Sequence, residues 1–134
     1  MSQRCEAPRG LRQWEVVLLE FPFSDSPKKK LRPVLVLSNS DFNRISNSVV
    51  VCQITSNLSS GFREYNVFIE PSDVCLYGDA FMRPSLVKPY MVFSVSKREV
   101  HFKVGVLSEE KADEVRERLR KLFDYRVFTV EQGK

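Results

Sequence analysis

The feature that most constrains this chain is a succession of short runs rich in β-branched and aromatic residues, each broken by proline, glycine, serine or asparagine. WEVVLLEF (14–21) opens the series and stops at Pro22. RPVLVLS (32–38) follows, with Pro33 at its start, where a strand loses least from a missing N–H. SVVVCQI (48–54) is nearly all apolar and reads as a central strand, whereas YNVFIEP (65–71) alternates as a half-exposed one would. Between them lie polar, turn-rich stretches: PFSDSPKKKL (22–31), NSDFNRISN (39–47) and TSNLSSGFRE (55–64). SDVCLYGD (72–79) leads into a further short strand expected around Ala80–Met82, and SLVKPYMVFSVSKREV (85–100) reads as one or two strands interrupted at Pro89. HFKVGVLS (101–108) is a last short strand before a helix.

That helix, SEEKADEVRERLRKLF (108–123), carries every helical signal. Ser108 is a capping residue. Glu109 and Glu110 occupy the first turn, and Arg118, Arg120 and Lys121 the last, as the macrodipole favours. Ala112, Val115, Leu119, Leu122 and Phe123 form one apolar stripe, read as core and not as a cofactor site. Many short strands and one C-terminal helix make the chain mainly β. Alternation alone does not separate a small barrel from a sandwich; the expectation is a small SH3-like antiparallel barrel with a C-terminal α-helix.

With 134 residues the chain is expected to be one domain with its own core. No apolar run approaches a membrane span, and MSQRCEAPRGLRQ (1–13) has charge but no apolar segment of a signal peptide, so a cytoplasmic location is expected. Cys5, Cys52 and Cys75 are odd in number and widely spaced, and read as reduced thiols. A single histidine, His101, leaves no base for a cysteine nucleophile and no ordinary zinc ligand set. No metal or other cofactor is therefore expected. The net charge of +4 is modest and becomes informative only where it clusters, as at Lys28, Lys29 and Lys30 just before Arg32.

In their order, WEVVLLEFPFSDSPKKKLRPVLVLSNSDFN, VVVCQITSN, SLVKPYMVFSVSKREV and VGVLSEEKADEVRERL together resemble the MazF/PemK family of toxin–antitoxin toxins. The resemblance spans residues 14 to 123. It implies an SH3-related barrel, a homodimer, an antitoxin partner, and an endoribonuclease that cuts single-stranded RNA without a metal. The domain is then residues 14–125, preceded by a flexible extension (1–13) and followed by a strand or tail (126–134).

Such cleavage uses the neighbouring 2′-hydroxyl as nucleophile, so the protein must take up a proton and stabilise charge on the phosphorane. The resemblance assigns the second task to Arg32, whose planar fork suits a phosphate. It gives Thr55 a hydroxyl contact to a phosphate oxygen or to the arginine, with Ser56 beside it. Gln53 stands where the family motif usually has proline. Lys88 and Tyr90 fall where many relatives carry a basic residue and then an acid or glutamine. Tyr90 suits proton donation or base stacking better than proton acceptance, leaving Asp25 or Glu20 to supply a base. Lys28, Lys29 and Lys30 would attract phosphates without regard to sequence, and Phe21, Phe23 and Tyr65 could stack on bases. Two rival readings stay open: a non-catalytic module on the same barrel that binds nucleic acid or protein, and a gyrase inhibitor.

Overall fold

A computed structural model of the chain describes residues 3–20 and 30–124. Strands β1 (Gln3–Cys5), β2 (Glu15–Glu20), β3 (Leu31–Val36), β4 (Ser48–Thr55), β5 (Val67–Ile69), β6 (Val74–Tyr77), β7 (Ser85–Ser96) and β8 (Val100–Leu107) form one sheet. A short helix α1 (Ser40–Ile45) lies between β3 and β4, and α2 (Glu109–Leu122) closes the described chain. The strand order is β1-β6-β8-β2-β3-β4-β7-β5, antiparallel throughout except for the parallel β1–β6 pair. The fold is mainly β with a C-terminal helix, as expected. Its ladder does not close among the described residues, since β1 and β5 remain as edges.

The long apolar runs have a simple cause. Successive side chains of β2, β3 and β4 enter two different cores. Val16, Leu35, Cys52 and Ile54 join the cluster that α2 covers with Ala112 and Val115. Val17, Val34, Val36, Val49 and Val51 join the other, with Leu11, Phe93 and Val100 packed against it. Strands buried on both faces need no polar alternation. In α2, Ser108 accepts a hydrogen bond from Lys111 N, and Phe123 is the C-cap, so the helix matches its sequence signals at both ends.

The stretch read as one or two strands is a single strand, residues 85–96. The register against β4 jumps from Val92 opposite Cys52 to Lys88 opposite Gln53, so Pro89 sits in a bulge that excuses its missing N–H. Three expectations are corrected. The strand expected near Ala80–Met82 is β6, Val74–Tyr77, and residues 80–83 are loop. NSDFNRISN holds helix α1, capped by Asn39, whose side chain accepts from Phe42 N at 2.8 Å. Cys5 and Cys75 are not separate thiols: they form a disulfide across the β1–β6 pair, with Cα atoms 5.7 Å apart. Residues 3–5, within the stretch read as a flexible extension, are thus a cross-linked strand. Cys52 is free and buried as expected. Residues 126–134 lie outside the described residues.

Candidate functional site

Arg32 stands near the start of β3, paired with Leu19 of β2 on one side. On the other side the β3–β4 ladder stops at Val34 and Gln53; carried further in the same register, it sets Arg32 opposite Thr55, the last residue of β4. Pro33 contributes to that early end, because it has no N–H to donate. The two strand ends splay around a cavity of about 520 Å³ lined by both residues.

Its floor is apolar, from Val16, Leu18, Ile54 and Val104. Its rim is polar: Arg32, Gln53, Thr55, Ser56, Asp79 and Arg83. Phe81 and Phe102 stand beside it, 76% and 49% exposed. Thr55 Oγ1 accepts a hydrogen bond from Asn57 N at 3.1 Å, which fixes the hydroxyl in a tight turn and leaves its proton to donate into the cavity. Arg32 is exposed, and its guanidinium has no ion pair among the described residues. Two guanidinium groups and one carboxylate therefore line a mouth with an apolar base, an arrangement able to hold a phosphodiester with its sugar or base against the floor.

Arg32, Thr55 and Ser56 are the sequence-derived residues that the cavity unites. Lys88 and Tyr90 do not line it. Lys88 Nζ donates to Ser60 Oγ at 2.6 Å. Tyr90 Oη donates to Asn66 Oδ1 and accepts from Phe62 N, each at 2.8 Å, with the Phe62 ring edge-on to it. Both side chains anchor the loop between β4 and β5. Lys30 is exposed and lines no cavity described here. Lys28, Lys29, Asp25, Phe21 and Phe23 lie outside the described residues, and Tyr65 packs edge-on to Tyr90.

Arg83 and Asp79 were missed by the sequence reading. A signal for Arg83 existed: Arg83–Pro84 repeats the dipeptide Arg32–Pro33, and a residue before proline is held in extended conformation. Burial pushes the Cys52 thiol well above its ordinary value, which keeps it protonated and unreactive. Among the described residues, one group could hold a metal ion: Glu20, Glu99 and His101, with ligand atoms within 4.8 Å of one another. None of the three lines the Arg32 cavity.

A mainly β sheet with a C-terminal helix, and a cleft carrying two arginines and an aspartate beside its strand ends, defines this chain as a small β domain with a polar-rimmed cleft. Comparison with known proteins narrows this. The family model of PemK-like, MazF-like toxins of type II toxin–antitoxin systems matches residues 12–123, and the chain belongs to that family. No curated protein matches it by sequence. Among solved structures it resembles an endoribonuclease in complex with its cognate antitoxin from a mycobacterial species, with a TM-score of 0.64 at 17% identity over 85% of this chain and 93% of that one. It is similar to the Mycobacterium tuberculosis toxin MazF-mt6, with a TM-score of 0.64 at 17% identity over 82% and 96%. MazF from Deinococcus radiodurans gives a TM-score of 0.64 at 20% identity over 86% and 97%.

Proposed function

We propose that this toxin is an endoribonuclease that cleaves single-stranded RNA without a metal, with the Arg32–Thr55 cavity as its active site. The observation that carries the reading is that these two residues, at the ends of β3 and β4, line one cavity with a second arginine. The 2′-oxygen attacks the adjacent phosphorus, the P–O5′ bond breaks as a cyclic 2′,3′-phosphate forms, and the 5′-oxygen takes its proton from solvent water. Arg32 donates two hydrogen bonds to the non-bridging oxygens as charge builds on the phosphorane. Thr55 donates a third, and Arg83 holds the strand by its phosphate. Asp79 is the carboxylate that lines the cavity among the described residues, and it is our choice to accept the 2′-hydroxyl proton.

The partners that go with this reading are RNA, an antitoxin whose acidic or apolar segment blocks the cationic cleft, and a second copy of the chain. No helix among the described residues is long and apolar enough to cross a membrane. We place the protein with its RNA in the cytoplasm, where thiol reductants would act on Cys5–Cys75.

The test is cleavage of defined single-stranded RNAs in EDTA with mapping of the products. Wild type should yield cyclic-phosphate ends, and the Arg32→Ala/Thr55→Ala protein should not. Equal cutting by both would sink the assignment. The competing reading is a binding module that no longer cleaves, and one observation favours it. Tyr90, at the position where many relatives place an acid or glutamine, is committed to holding a loop. Such a module would keep salt-dependent affinity for RNA and leave it intact.

A further inference from the structure

Phe102 lines a second cavity as well as the first. This one, of about 920 Å³, runs between residues 8–12 on one side and α1 with the start of β8 on the other. Its charged lining is cationic only: Arg9, Arg12, Arg44, Lys97 and Lys103, with no carboxylate.

The wall formed by residues 8–12 is built, not draped. Lys103 Nζ donates to Pro8 O at 2.7 Å and Gly10 O at 2.5 Å, and Asn43 Nδ2 donates to Leu11 O at 3.0 Å. Beneath lies Glu15, 0% exposed, paired with Lys103 at 3.0 Å and accepting from Arg12 N at 2.8 Å and Tyr77 Oη at 2.7 Å. Trp14 adopts φ 73, a strained conformation for a bulky residue, where the chain turns from this wall into β2. A fully buried carboxylate and a strained tryptophan therefore hold the segment that presents Arg9 and Arg12 to solvent. Both arginines are exposed and have no ion pair among the described residues. Among the described residues Arg44 pairs with Asp41 at 3.5 Å on an open surface, a contact of little strength. Lys97 is engaged by a carbonyl, Lys103 by carbonyls and by Glu15, and His101 faces Glu20 and Glu99, so the direct contacts fall to the three arginines.

We infer that this groove is a backbone track for single-stranded RNA, continuing from the Arg32 cavity across Phe102, with Arg9, Arg12 and Arg44 contacting phosphates. The inference rests on the nuclease reading for its ligand. RNA fits better than an acidic peptide for three reasons. The accessible cations are arginines, whose forks match phosphate. Phe102 is half-exposed, has no ring partner among the described residues, and offers a base a stacking face where the two cavities meet. Leu11 and Val100, the aliphatic side chains of the lining, are already packed against the core, leaving little to anchor a peptide. Because the contacts are to phosphates, the track extends the bound length without adding sequence preference.

The test measures binding of fully 2′-O-methylated oligouridylates, of about 4 and about 12 nucleotides, by fluorescence anisotropy over a salt series. Wild type should prefer the longer strand. Replacing Arg9, Arg12 and Arg44 with alanine should weaken the longer strand on the order of tenfold and flatten its salt slope by about 2, from about 0.7 per lost contact. The Arg120→Ala protein, which removes charge from the exposed face of α2, is the control and should keep the wild-type length preference. Three outcomes overturn the track: an unchanged slope in the triple variant, an equal loss in the control, or stronger competition by an oligoglutamate peptide than by RNA. Cutting of a short unmodified RNA by wild type is scored separately, so that its absence counts against the nuclease reading alone.

Discussion

Tyr90 Oη donates to Asn66 Oδ1 at 2.8 Å, and the same oxygen accepts from Phe62 N at 2.8 Å. One phenol thus satisfies a backbone N–H and a side-chain amide four residues apart in the second half of the β4–β5 loop. Gly61, at φ 74, completes the fit, because a Cβ there would stand 1.9 Å from that oxygen. Tyr90→Phe should lower stability by about 1–2 kcal/mol, from two hydrogen bonds at roughly 1 kcal/mol each. Gly61→Ala should cost more than that in wild type, yet clearly less in the Tyr90→Phe background, where the clashing oxygen is gone. Urea melts of the four proteins give the coupling. Additive costs would show that the oxygen and Gly61 do not share this contact.

Arg32 is held at a strand end with its fork free of ion pairs among the described residues, so changing it should alter turnover more than folding. Arg32→Ala should reduce the rate of RNA cleavage about 10²–10³-fold, the usual scale for losing a charge-stabilising donor. Arg32→Lys should recover only part, since an ammonium cannot make the paired contact. Thr55→Ser should stay close to wild type and Thr55→Val should not, because serine retains both the bond from Asn57 N and a proton to donate. Single-turnover rates at saturating protein read these effects without interference from RNA affinity.

What was legible in the sequence was whatever is specified locally. The caps and charges of α2 are local, and so are the β-branched runs of β2, β3 and β4. Its stripe is core only in part: Ala112, Val115 and Leu119 join the core, while Leu122 and Phe123, also read as core, are exposed. α1 escaped because Asn, Ser and Asp serve turns and helix caps alike. What stabilises it is tertiary: buried Asn43 donates to Leu11 O, far away in sequence. The Cys5–Cys75 bond joins residues 70 apart through a parallel pairing that no local pattern announces. Within the site, Arg32 and Thr55 were readable through family motifs, whereas Arg83 and Asp79 enter from a loop whose course depends on β1 and β6. Lys88 and Tyr90 occupy motif positions, but here they sit beside the bulge at Pro89 and are engaged by the β4–β5 loop.

The disulfide should matter to the cavity as well as to stability. Arg4, next to Cys5, donates to Gly78 O and Ala80 O, at the root of the loop that brings Asp79, Phe81 and Arg83 to the cavity. Opening a cross-link between residues 70 apart releases chain entropy worth on the order of 4 kcal/mol in the unfolded state. Reductant should therefore lower the urea midpoint of wild type and leave that of Cys5→Ser/Cys75→Ser unmoved. Amide exchange should quicken at residues 78–83 in both reduced wild type and the variant. Unchanged exchange there would separate the cross-link from the cavity wall.

Alkaline pH should destabilise the fold through two neutral buried acids. Burial pushes the Cys52 thiol above its ordinary 9.0. Burial first, and then the hydrogen bond and charge of Glu15, push the Tyr77 phenol above its ordinary 10.0. Both groups keep their protons in the folded chain at a pH where the unfolded chain has lost them, so the folded state binds more protons and stability falls as pH rises. Their contribution is complete below pH 9 and declines above it, more steeply past pH 10 once the phenol joins. Cys52→Ala should lower stability at neutral pH through the lost packing, yet flatten the decline between pH 9 and 10. Chemical denaturation across that range decides the matter. A decline as steep in Cys52→Ala as in wild type would remove the buried thiol from the account and leave Tyr77 to carry the effect.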